Sequence, residues 1–192
     1  MGFVMLGIST LTPMGFNAAL FGMVAHGLIT GMLFFIAGSV KERYHTLEIK
    51  KLGGMLKEMP KMGWILGFCA MASLGLPGLA GFWGEFPAIL SAYQPADGLP
   101  VETFRTFMII AAIGTVFAAA YLLWLYQRTA FGEPHHAHGD DHGHDDIHDV
   151  TTFEWIAWTP FLIAIVVFGV YPHLMFKVLD PAVNVALKAF GG

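Results

Sequence analysis

The run from Met62 to Tyr93 constrains this chain more than any other part of it. It is apolar, too long for one straight span, and interrupted by Gly75-Leu76-Pro77-Gly78-Leu79-Ala80-Gly81-Phe82-Trp83-Gly84-Glu85-Phe86. As a single α-helix it would rise roughly 48 Å, against a bilayer hydrocarbon core of about 30 Å. The excess calls for tilt or a break. Pro77 removes a backbone donor and crowds the preceding turn, and the glycines around it loosen the chain, so the break belongs between Gly75 and Gly81. Broken backbone is tolerated at membrane depth only where it is buried in protein or lines a wet cavity. Glu85 follows about one turn into the second half-helix, and an ionisable residue in lipid is costly. Break and carboxylate together mark a candidate ion or proton site.

The rest of the chain agrees with a membrane setting. Of 192 residues, 56% are hydrophobic and only 12% charged, and the mean hydropathy is +0.62, far from the roughly one-quarter charged content of soluble domains. The predicted fold is all-α, a polytopic transmembrane helix bundle with one discontinuous helix, organised as a single domain over 1–192. Residues 1–12 are apolar but too short to span, and read as a truncated helix without the basic start or cleavage site of a signal peptide. Residues 15–40 form a span with His26 near its middle. Residues 41–61 hold six Lys or Arg, which places this loop in the cytoplasm by the positive-inside rule. Within it, Thr46 to Met59 suits a short surface helix interrupted at Gly53-Gly54. The broken span follows over 62–93, then a plain span over 107–126. Residues 133–149 form a His/Asp-rich loop, and 155–175 a last span with Trp155, Trp158 and Tyr171 at interface positions. The tail from Phe176 to Phe190 is amphipathic. No basic patch suited to nucleic acid is present, and the lone Cys69 reads as a small core residue.

Each candidate has a plainer alternative. Glu85 either exchanges protons or caps the half-helix N-terminus, whose dipole favours negative charge. His26 either relays protons between its two ring nitrogens or is hydrogen-bonded between helices. Gly75, Pro77, Gly78 and Gly81 mark the break, or a passive kink. The tract from His135 to Asp149 carries metal-type ligands, but its spacing fits no fixed tetrahedral site, and no metal site is assigned.

Several motifs, taken in order, resemble one family: Met1-Gly2-Phe3-Val4, Ala25-His26-Gly27, Glu42-Arg43-Tyr44-His45-Thr46, Leu76-Pro77-Gly78, Gly81-Phe82 and Gly84-Glu85-Phe86. Together they are similar to the antiporter-like membrane subunits of proton-translocating NADH:quinone oxidoreductase, respiratory complex I. The glutamate of Gly84-Glu85-Phe86 favours the subunit M branch, since related subunits typically place a lysine there. The resemblance implies a fourteen-helix bundle with two inverted five-helix repeats, each containing a broken helix, of which this chain is the last third. The histidine that usually precedes Met-Gly-Phe would then lie upstream of Met1. It further implies that Glu85 ends the proton path of a half-channel, with His26 as a relay. The chain would hold no redox cofactor, and its partners would be other membrane-arm subunits and the lipid of a bacterial plasma membrane. Rival expectations are a subunit of a multisubunit sodium/proton antiporter or of a membrane-bound hydrogenase, a divalent-metal transporter using the His-rich loop, and a purely structural packing role.

Overall fold

The computed structural model describes residues 1–133 and 147–189, and among these every regular element is helical. Helix α1 spans Gly2–Ser9 and α2 spans Pro13–Tyr44. The start of α2 is set locally. Pro13 occupies the first helical position, and the Thr12 hydroxyl accepts the Gly15 amide at 3.0 Å, satisfying one of the donors a helix start leaves open. At its far end α2 carries Lys41, Glu42, Arg43 and Tyr44, residues expected in the loop, and stops at His45 in the left-handed conformation. Basic residues suit a helix C-terminus, where the dipole is negative.

The connection that follows does not lie on the surface as a short helix. It forms a 3₁₀ turn at Ile49–Lys51 and a single helical turn, α3, at Met55–Glu58. Leu52, Met55 and Met59 are buried in the main core. Apolar residues at these positions plug the gap beneath α2 rather than resting on a membrane surface, because the bundle offers them a drier site.

Helix α4 spans Pro60–Ser73 and α5 spans Ala80–Ser91. At 14 and 12 residues each is too short to cross alone. Together they make the broken span, with Leu74 to Leu79 as the non-helical connection. Gly75 has φ +67° and Gly78 φ +92°, values that L-residues with a Cβ adopt only under strain. Helix α6 spans Val101–Ala130, α7 spans Thr152–Val170 and α8 spans His173–Ala189. By length and apolarity α2, α6 and α7 can each cross a membrane. The run expected to continue to Met175 is divided at Tyr171-Pro172, because a residue before proline is pushed out of the helical region. Trp158, expected at an interface, is 2% exposed and lies in the core with Ile165. Its helical spacing from Ile165 turns it inward, whereas Trp155 and Tyr171 remain partly open.

The core runs along α2 through Phe21, Ala25, Ile29, Met32, Ile36 and Val40, and is completed by α4 and α7. Cys69 is fully buried within it. Helix α8 presents Val183 and Leu187 inward while Val178 and Val185 face out. It is tied to the start of α2 by Asn17 Nδ2 donating to Asp180 Oδ1 at 2.7 Å.

Candidate functional site

The site begins with two glycines. Helices α2 and α5 approach so closely at Gly22 and Gly84 that a Cβ added to Gly84 would stand 2.5 Å from Gly22 Cα. Ala18 and Ala88, a turn away on each helix, are fully buried. Such small-residue seams let membrane helices pack backbone to backbone. One turn along α2 from Gly22 stands His26, and Glu85 follows Gly84, so the crossing brings both residues to one cavity.

That cavity has a volume of about 320 Å³. Its lining includes the polar side chains of His26 and Thr30 on α2, Ser73 at the end of α4 and Glu85 on α5, together with Met1. Val4, Ala25, Ile29 and Ala72 supply apolar wall. It has room for on the order of ten waters, and its polar groups give some of them partners. The end of α4 reaches it because the break stops that helix at Ser73, directly before Leu74 and Gly75.

Glu85 is half-buried and makes no hydrogen bond or ion pair among the described residues. It does not cap α5. It is the sixth residue of that helix, whose N-cap position is Leu79 without a side-chain cap bond. Its carboxylate rests against the break instead, since a Cβ on Gly75 would lie 2.7 Å from Glu85 Oε2. His26 is hydrogen-bonded within its own helix rather than between helices. Thr30 Oγ1 lies 3.1 Å from His26 Nδ1 and donates to the His26 carbonyl at 2.5 Å. A carboxylate and an imidazole bordering one cavity with room for water have the chemistry to take up and pass protons.

Of the break residues, Gly75 and Gly81 pack directly around this site. A side chain at Gly81 would collide with the Ala72 carbonyl. Gly78 adopts its positive φ with open space around it on the Cβ side, and its carbonyl faces α7 at Gly169. Gly169 leaves no room for a side chain against Gly78 and Leu79, and Trp83 Nε1 donates to the Gly169 carbonyl at 2.8 Å. Helix α7 therefore braces the break from the side.

A second polar cluster, whose residues carry no site role in the sequence reading, lies at the end with the basic loop. Arg43 pairs with Glu154 at 2.8 Å and also donates to the carbonyls of Ser39, His148 and Asp149. The Ser39 hydroxyl donates to Glu154 Oε1 at 2.5 Å, and Thr151 and Glu154 complete a capping box on α7. Asp149 accepts the Lys61 and Met62 amides at 3.0 and 3.1 Å, capping α4 from outside its own sequence neighbourhood. The capping box, Thr151 followed three residues later by Glu154, was the one signal readable in advance. Residues 134–146, which hold most of the His/Asp-rich tract, lie outside the described residues. Among the described residues no group of three or more His, Cys, Asp or Glu could hold a metal ion.

Comparisons with known proteins place this geometry in a family. Residues 1–108 match the family described as NADH:quinone oxidoreductase/Mrp antiporter, TM. NADH-quinone oxidoreductase subunit M of Rhodobacter capsulatus is 37% identical over 95% of this chain, which covers 33% of that protein. NAD(P)H-quinone oxidoreductase chain 4 2 of Synechococcus sp. (strain JA-2-3B'a(2-13)) is 35% identical over 96% of the chain and is covered to 34%. The chain thus spans about a third of the length of the curated relatives it matches. Among solved structures, a chain of respiratory complex I from Thermus thermophilus with bound NADH superposes with a TM-score of 0.82 at 30% identity. The match covers 99% of this chain and 37% of that one. A chain of the Mrp complex from Dietzia sp. DQ12-45-1b shares the fold, with a TM-score of 0.73 at 18% identity over 94% of this chain and 39% of its own length. The chain belongs to the NADH:quinone oxidoreductase/Mrp antiporter transmembrane family, and its relatives align it with subunit M.

Proposed function

We propose that this chain forms part of a proton-translocating membrane-arm subunit of an NADH:quinone oxidoreductase, in which Glu85 takes up and releases protons and His26 relays them. The observation that carries this reading is the cavity shared by His26 and Glu85, built where two helices meet at a helix break. A half-buried carboxylate that makes no ion pair among the described residues can change protonation without breaking one. A neighbouring imidazole supplies ring nitrogens that can accept and donate a proton. In this reading water filling the cavity connects the two, and Ser73 also lines its wall. In this reading the half-channel ends near Glu85, the chain holds no redox cofactor, and its partners are other membrane-arm subunits in a bacterial plasma membrane. Quinone reduction elsewhere in the assembly drives the protons by shifting the populations of alternative charge and hydration states.

The test is Glu85→Gln in the full-length subunit of the assembled complex. Gln keeps the size and loses the titratable proton. The ratio of protons translocated to electrons transferred should fall while the complex still assembles, and an unchanged ratio would sink the role of Glu85. The family also includes Mrp antiporters. Sodium-dependent exchange that survives removal of quinone turnover would favour that alternative.

A further inference from the structure

We infer that Thr30 is a positioning residue that holds the neutral His26 ring with its proton on Nδ1, leaving Nε2 as the nitrogen that accepts the transferred proton. This rests on the reading of His26 as a relay. Thr30 Oγ1 contacts two atoms of the same residue, the His26 carbonyl oxygen at 2.5 Å and His26 Nδ1 at 3.1 Å. A hydroxyl has one proton, and a carbonyl oxygen has none to offer. The carbonyl can only accept, so this close contact is favourable with the hydroxyl proton directed at it, whereas facing lone pairs would repel. Oγ1 is then left with lone pairs only toward the ring. A favourable contact with Nδ1 therefore requires that Nδ1 carry the proton and donate it to Oγ1.

The consequence is an assigned tautomer. Nε2 carries the lone pair and has no hydrogen bond among the described residues, on a side chain that lines the cavity shared with Glu85. Free histidine side chains in water favour the proton on Nε2, so Thr30 reverses the ordinary preference. With Nε2 protonated at rest, the relay would begin with its basic nitrogen turned against the Thr30 hydroxyl and away from reach of a second acceptor. With Nδ1 protonated, a proton arriving at Nε2 gives an imidazolium still anchored by Nδ1–H to Oγ1. That imidazolium returns to its starting form by releasing the same Nε2 proton to water or toward Glu85. No other atom need move.

The test uses the full-length subunit in lipid vesicles with ¹⁵N-labelled histidine, the His26 signals being assigned by their loss in His26→Gln. Nitrogen chemical shifts distinguish the protonated from the bare ring nitrogen in the neutral form. Wild type and Thr30→Ser should show the proton on Nδ1. Thr30→Val, isosteric but without an acceptor, should shift the tautomer ratio toward Nε2 roughly fivefold, the worth of one ordinary hydrogen bond. Thr30→Ala provides the same reading should Val disturb packing. Proton translocation per electron in the assembled complex should fall in the Val and Ala variants and recover in Ser. A wild-type ring protonated on Nε2, or a ratio unchanged in Thr30→Val, overturns the tautomer assignment whatever Glu85→Gln shows. A shifted ratio with undiminished translocation overturns the positioning role, and it is separable from failure of the parent reading, which Glu85→Gln decides alone.

Discussion

Gly75 and Gly78 look alike in sequence and do different work. Both hold positive φ, +67° and +92°, so an alanine at either site carries left-handed strain of about 1–2 kcal/mol. Only at Gly75 would the new methyl meet a functional atom, Glu85 Oε2 at 2.7 Å. Gly78→Ala would find nothing within 4 Å on its Cβ side. Both variants should therefore lose similar thermal stability, read as a lower midpoint of unfolding in detergent. Gly75→Ala alone should also lower the proton-to-electron ratio, because its methyl displaces the carboxylate from the break. Equal pumping losses in the two variants would mean that the backbone of the break, and not the seat of the carboxylate, governs transport.

At the scale of elements, the crossing of α2 and α5 decides whether there is a site at all. The two directions of substitution are unequal. A Cβ at Gly84 would lie 2.5 Å from Gly22 Cα, whereas one at Gly22 would lie 3.3 Å from Gly84 Cα. Gly84→Ala should force the helices apart at a cost of about 1–3 kcal/mol, and Gly22→Ala should cost visibly less. Cysteine pairs placed across the seam would measure this as slower crosslinking in the first variant, and equal rates would refute the asymmetry. The break itself was legible in sequence because proline and glycine act on their own turn of backbone, and Glu85 stood out because charge is rare in lipid. The shared cavity was not legible. It depends on which glycine of α2 meets which glycine of α5, a non-local choice that no local pattern encodes. Thr30 escaped for a related reason, as threonine in a membrane helix commonly bonds back to its own backbone. Trp158, expected at an interface, lies inward: an aromatic near a span end fits either setting, and only the packing of α7 against α2 and α5 separates the two.

For the whole molecule, the basic end is where chain segments remote in sequence are locked together. Lys57 donates to Glu133 at 2.6 Å and lowers the pKa of that carboxylate. A carboxyl depressed in the folded state adds stability above its unfolded pKa and loses it as pH falls through the folded one, so this contact weakens only in acid. Being fully solvent-exposed at Glu133, it is also screened by salt. The Arg43 cluster is different in kind, since the side chains of Arg43 and Glu154 are only 12% and 17% exposed. One guanidinium there holds α2 to α7 through Glu154 and holds the His148 and Asp149 carbonyls in place. Asp149 in turn caps α4, the first half of the broken span. Arg43→Ala should cost about 1–3 kcal/mol, because the part-buried Glu154 carboxylate loses its cation and keeps only its Ser39 and Thr151 partners. Arg43→Lys should recover only part of that, since an ammonium keeps the charge but not the fork of donors. Replacing both partners with apolar residues, Arg43→Met with Glu154→Leu, should restore only part of the stability, since it removes the unpaired charge but also the Thr151–Glu154 capping box. Hydrogen exchange at the Lys61 and Met62 amides reads the outcome directly: protection should drop in Arg43→Ala, where the chain carrying Asp149 loses its tether. If those amides stay protected while global stability falls, Asp149 holds its position independently of Arg43.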